Sequence, residues 1–118
     1  MPNEIQMPDV IETLFWYDGP VLFTAEFLGK VRLVTLLDLE DSPEGVTAIY
    51  MVSSPDPDMM TAMRENRLPL RDASDTGPLF RLASQWFPDG KTTYEEVESW
   101  PEDTLPDPGV LLSLETAG

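Results

Sequence analysis

"VLFTAEFLGKVRLVTLLDLEDSPEGVTAIYMV", residues 21 to 52, holds three apolar segments separated by two sets of turn residues. The first places Val21, Phe23, Ala25 and Phe27 on one side of an extended chain, because successive side chains of a strand point to opposite faces. Leu28-Gly29-Lys30 then offers a tight reversal, with glycine available for a positive φ. The second segment, VRLVTLLDLE, runs into Asp41-Ser42-Pro43-Glu44-Gly45, whose residue types favour another turn. In the third, Val46, Ala48, Tyr50 and Val52 alternate with Thr47, Ile49 and Met51. The stretch therefore reads as three consecutive antiparallel strands.

Upstream, VIETLFWY at 10–17 is rich in β-branched and aromatic residues and ends at Asp18-Gly19-Pro20, which adds a strand and a turn. Downstream the period changes at SSPDPDMMTAMREN. Asp56 suits the N-cap of a helix, Pro57 its first position, and Asp58 the positive end of its dipole. Arg64 lies near the other end and Asn66 is a candidate cap, so the spacing predicts a helix over 57–66. Met59, Met60 and Met63 with Ala62 give it an apolar stripe to lay on the sheet. LPLRDASD fits a single helical turn, PLFRLASQW reads as a fifth strand, and TTYEEVESW as a short strand or helix after the Phe87-Pro88-Asp89-Gly90-Lys91 turn. LPDPGVLLSLE closes the chain with a turn and an apolar segment. The expected architecture is one domain over 1–118 of the α+β class, a mostly antiparallel twisted sheet of five or six strands with one main helix packed on it.

"WYDGPVLFTAE", followed by "LVTLLD" and later by "PDPDMMTAMRENRLPLRDA", resembles a family of small uncharacterised bacterial domains. In that family a Tyr-Asp-Gly-Pro turn leads into an apolar strand pair, and a later helix ends in a Leu-Arg-Asp segment. The likeness covers residues 14 to 73. It implies an α+β fold and brings no activity, cofactor or site residue with it.

Composition narrows the chemistry. The 118 residues carry 22 Asp plus Glu against 7 Lys plus Arg, a formal charge of -15, with no histidine and no cysteine. A field of that sign repels phosphate backbones and anionic lipids, so direct binding to nucleic acid or membrane is not expected. Without His or Cys, the Ser-His-Asp and Cys-His nucleophile systems and ordinary zinc sites are absent. A carboxylate pair about 5 to 10 Å apart is the acid-base device left open, and 22 carboxylates meet that spacing somewhere by chance. DLEDSPEG and PDPD lack the ligand spacing and central glycine of an EF-hand loop and read as a turn and a helix start. No enzyme activity, cofactor or metal is expected. The first fifteen residues contain no Lys or Arg, and Arg32, Thr35 and Asp38 interrupt the longest apolar run, so neither export signal nor membrane span is read and the cytoplasm is the expected compartment.

The carboxylates are concentrated. Residues 92 to 109 contain Glu95, Glu96, Glu98, Glu102, Asp103 and Asp107 with no basic residue, and residues 38 to 58 contain Asp38, Glu40, Asp41, Glu44, Asp56 and Asp58, again with none. Two readings compete. Duplex DNA presents one charge per about 1.7 Å of axis, so rows of carboxylates on a rigid sheet can occupy a groove built for phosphates. Alternatively the acids serve solvation or salt adaptation. The leading expectation is a non-enzymatic acidic protein that blocks a basic, nucleic-acid-handling partner, for example a bacterial defence nuclease such as a CRISPR complex. Its contact residues would be Glu95, Glu96, Glu98, Glu102 and Asp103, with Trp100 as apolar anchor and Asp38, Glu40 and Asp41 as a second patch. The alternative is a small accessory or immunity-type domain that binds one protein through its sheet or its methionine helix, with Met60 and Trp86 as contacts.

Overall fold

The computed structural model describes residues 3–6, 8–16, 20–43, 45–85 and 91–100. Seven strands are present among them: β1 (Asn3–Ile5), β2 (Val10–Trp16), β3 (Pro20–Phe27), β4 (Lys30–Ser42), β5 (Gly45–Ser53), β6 (Leu79–Gln85) and β7 (Thr92–Val97). Two helices, α1 (Pro57–Arg64) and α2 (Leu70–Ser74), lie between β5 and β6. All neighbours pair antiparallel in the order β1-β7-β6-β5-β4-β3-β2.

This corrects the expected α+β fold of five or six strands under one main helix. The sheet has seven strands curled into a half-barrel, and only two short helices accompany it. The unforeseen strand is β1, whose three residues are too few to show a period; it joins the far edge by pairing Asn3, Glu4 and Ile5 with Tyr94, Thr93 and Thr92. Helices of eight and five residues cannot cover so wide a sheet, and the sheet buries one face against itself instead.

The curl can be measured across that inner face. β3 and β7 stand four strand positions apart, roughly 19 Å along a flat sheet at about 4.8 Å per strand. The rings of Phe27 on β3 and Tyr94 on β7 nevertheless meet edge-to-face at 5.1 Å. Phe80 on β6 touches both, at 5.2 Å from Phe27 and 6.2 Å from Tyr94. Around this aromatic cluster Phe23, Val34, Ala48, Tyr50, Val52 and Leu82 fill the concavity. All lie at the alternating positions that the period of two selects.

The outer face carries two smaller cores. Leu22 and Leu33 receive Met60 and Met63 of α1 and Ala73 of α2. Met51 and Leu79 receive Trp100. α1 begins as its sequence dictates: the Asp56 carboxylate accepts from the Met59 backbone N–H at 2.8 Å and Pro57 takes the first position. It ends at Asn66, φ 61, where Asn66 N–H donates to the Met63 carbonyl and Arg67 N–H to the Ala62 carbonyl, the paired bonds of a Schellman cap. The turn after residue 85 and the Asp18-Gly19 turn lie outside the described residues, as do Trp86 and the closing apolar segment.

The β3–β4 reversal has Phe27 opposite Lys30, with Leu28 at φ 51 and Gly29 at φ 83. Both central residues are left-handed, as a two-residue turn that follows the strand twist requires. Leucine is a poor residue for that conformation and is 49% exposed here, so little packing holds it. Leu28→Asn is expected to raise stability by ~1 kcal/mol, measured as a higher midpoint of thermal unfolding.

Candidate functional site

Every carboxylate among the described residues is exposed. Two of them form ion pairs: Glu12 on β2 with Arg64 at 2.6 Å, and Glu65 with Arg67 at 2.5 Å. Among the described residues no three acidic side chains converge on a common point. The acidic surface is therefore dispersed, and strand geometry decides where each charge stands.

β7 is a strand throughout, which separates neighbours in sequence. Thr92 and Tyr94 point into the concavity, and Glu96 follows them on that side in register with Phe80. Glu95 points outward with Val97, directly opposite Arg81, without an ion pair closing between them. Glu98 is exposed in the bend beyond β7. Glu102 and Asp103 lie outside the described residues. The run expected to form one patch is thus divided between two faces.

Trp100 corrects another expectation. It is 6% exposed, packs against Met51 and Leu79, and donates its indole N–H to the Ser74 carbonyl at 2.8 Å. The Ser53 hydroxyl donates to the same carbonyl, so the last residue of α2 is tied at once to β5 and to the segment after β7. An indole used in this way is a core residue, not an anchor for a partner. Met60 of the methionine helix is 5% exposed and Met63 is fully buried, so these two serve the core, while Met59 and Ala62 of the same stripe are half-buried.

The second patch is shaped by a β-bulge. The β4–β5 register shifts between Leu36 and Asp38, so that Leu37 is an extra residue. Before the shift, Val34 and Leu36 face the concavity; after it, Asp38 opposes Ile49 and Glu40 opposes Thr47 on the outer face. Strict alternation would have sent both acids inward with Leu36, and the inserted residue turns them to water. Asp41 pairs with Val46 and stands on the other side. This end of β4 reaches past its neighbour, since the β3 pairing stops at Leu22 opposite Thr35. Asp38 accepts the Leu39 backbone N–H at 2.8 Å, capping one donor of an edge left unpaired among the described residues. Charges on an exposed edge also oppose strand addition by another chain.

Further outward acids went unrecognised in the sequence, among them Glu26, which alternates with the inward Ala25 and Phe27 and opposes Val31. Glu4 on β1 opposes Thr93, two residues from Glu95, which puts the two residues on the outer face at diagonal cross-strand positions whose backbones lie about 7 Å apart. The outer face thus carries Glu4 and Glu95 at one edge, Asp38 and Glu40 at the protruding hairpin, and Glu26 on β3. Three strand steps and two residues separate Glu95 from Asp38, roughly 16 Å on a flat sheet.

The cations do not balance this surface. Arg64 and Arg67 are spent in ion pairs, and Arg32 is 6% exposed inside the half-barrel. No family model, curated protein or solved structure matches the chain. No helix among the described residues is long and apolar enough to cross a membrane.

Two outcomes test these placements. Trp100→Ala is expected to destabilise the fold by about 3–5 kcal/mol, whereas Trp100→Phe keeps most of the packing and loses about 1 kcal/mol with its hydrogen bond. An exposed anchor would leave the urea midpoint unmoved in both. Replacing Asp38 and Glu40 together by valine is expected to leave secondary structure intact and to produce concentration-dependent self-association in sedimentation velocity, through the edge of β4 that no described strand pairs.

Proposed function

We propose that this chain is a non-enzymatic acidic binding protein of the cytoplasm that docks on the basic surface of a nucleic-acid-handling partner, with the outer face of its sheet as the contact. The observation that carries this is the exposure of every described carboxylate while Arg32 is used inside the fold and Arg64 and Arg67 in pairs within the chain. Such a surface repels itself, and a cationic partner relieves the repulsion. Glu4, Asp38, Glu40 and Glu95 share one face of a framework stiffened by antiparallel pairing, so their spacing is fixed before any encounter. Acids on strand positions that pairing fixes, close within each pair and roughly 16 Å between pairs, form a more ordered array than a flexible acidic tail does. The reading rests on this surface and takes nothing from the turn motif.

Solvation alone is the competing account, favoured at the hairpin by the edge-capping bond of Asp38. The two accounts differ in whether position matters. The chain is immobilised, loaded with lysate at about 0.05 M salt and eluted at about 0.5 M, a step that shortens the screening length roughly threefold. Two variants accompany it: an outer-face set, Asp38→Lys, Glu40→Lys and Glu95→Lys, and a set on the other side, Asp41→Lys and Glu96→Lys. Release of a nucleic-acid-binding protein from the parent chain and the Asp41/Glu96 set, but not from the outer-face set, is the expected result. Equal loss in both sets, or retention in both, makes the charge a matter of solubility.

A further inference from the structure

On the rim of the half-barrel, between the β3–β4 turn and the start of α1, lies a depression of about 450 Å³. It is lined by the cationic residues of that turn region, Lys30 and Arg32. Arg32 sits on the inner side of β4, opposite Ala25, with its guanidinium 5.2 Å above the Phe80 ring. Its Nε donates to the Phe27 carbonyl at 2.9 Å and its Nη1 to the Ser54 hydroxyl at 2.5 Å. Ser54 in turn donates to the Pro78 carbonyl at 2.7 Å.

A guanidinium has five N–H donors, and both groups of Nη2 have no acceptor among the described residues. No carboxylate among those residues pairs with this arginine either, in a chain where acids outnumber cations threefold. Desolvation by burial lowers the pKa of Arg32. An uncompensated charge in a lined depression is a place for a counter-ion.

We propose that this depression binds a small organic monocarboxylate, its oxygens on the Arg32 guanidinium and the Lys30 ammonium. The walls select that class. Val31, Pro55, Pro57 and Pro78 give an apolar and conformationally fixed lining that suits a hydrocarbon body. Asp56 also lines the depression and Glu26 stands opposite Val31 beside it, so the two cations are partly offset, which favours a monoanion over a phosphate dianion. The Asp56 carboxylate is turned to the Met59 N–H and caps α1. The site is independent of the acidic outer face.

The probes are benzoate, its neutral analogue benzamide, and inorganic phosphate, each titrated into the isotope-labelled chain and followed by amide chemical shifts. Benzoate is expected to move the Val31, Ser54 and Gly77 amides saturably, with a dissociation constant on the order of millimolar. Benzamide is expected to leave them in place and phosphate to bind more weakly. Lys30→Ala, at an exposed position that the fold does not need, should weaken benzoate about threefold, the size of a solvent-exposed charge contact. Arg32→Lys should weaken it further; if that variant unfolds, Lys30→Ala decides. The proposal is overturned if benzoate gives no saturable shift, if the shifts fall elsewhere, if benzamide binds equally, if phosphate binds more tightly, or if Lys30→Ala changes nothing.

Discussion

The edge-to-face contacts among Phe27, Phe80 and Tyr94 are the constraint on which the rest of the molecule depends. A seven-stranded sheet with few helical residues has two faces to protect and too little to protect them with. Drawing β3 towards β7 closes one face on itself and leaves the helices and Trp100 to cover part of the other. Aromatic pairs suit this role, since each spans a gap that aliphatic side chains would leave open and adds about 0.5–1.5 kcal/mol beyond its buried area. The same curl creates the convex face on which the outward carboxylates are spread, and the rim on which Arg32 is held.

How much of this the sequence announced varied with the range of the interaction. The meander from 21 to 52 was legible because a period of two and turn chemistry are local, and both hairpins formed where those residues stand. α1 was legible at both ends, from the Asp56-Pro57 start to the left-handed Asn66. Three features had no local signal. β1 is too short to show a period, the curl is set by residues nearly seventy positions apart such as Phe27 and Tyr94, and the bulge at Leu37 differs from its neighbours by nothing visible in the string.

The candidate surface was legible in content and not in arrangement. A count of acids along 92–109 identifies a charged segment, but a strand alternates its side chains, and Glu95 and Glu96 consequently serve opposite faces. Treating TTYEEVESW as either strand or helix concealed that division. Trp100 looked like an exposed aromatic beside a proline, and its partner, the Ser74 carbonyl, is supplied by a helix 26 residues earlier. Arg32 was visible only as an interruption of an apolar run. Its parity with Val34 and Leu36 already implied an inward-facing cation, which was the available signal for a charged group in the interior.

Charge is therefore segregated radially: the innermost ionisable group is an arginine and the outermost are carboxylates. The preference has a physical basis, because a guanidinium is more weakly hydrated than a carboxylate and stacks on aromatic rings, as Arg32 does over Phe80. Inside a strongly acidic molecule such a cation also sits in an attractive field from every side. The outward acids are not equivalent under the same logic. Asp38 has one oxygen engaged by the Leu39 N–H and is held in place by the edge it caps. Glu40 and Glu95 carry no comparable bond among the described residues, and their longer side chains can turn to meet a guanidinium or ammonium without releasing a backbone donor. Edge protection and recognition can thus be divided between neighbouring acids of one hairpin, Asp38 serving the fold and Glu40 free for a partner.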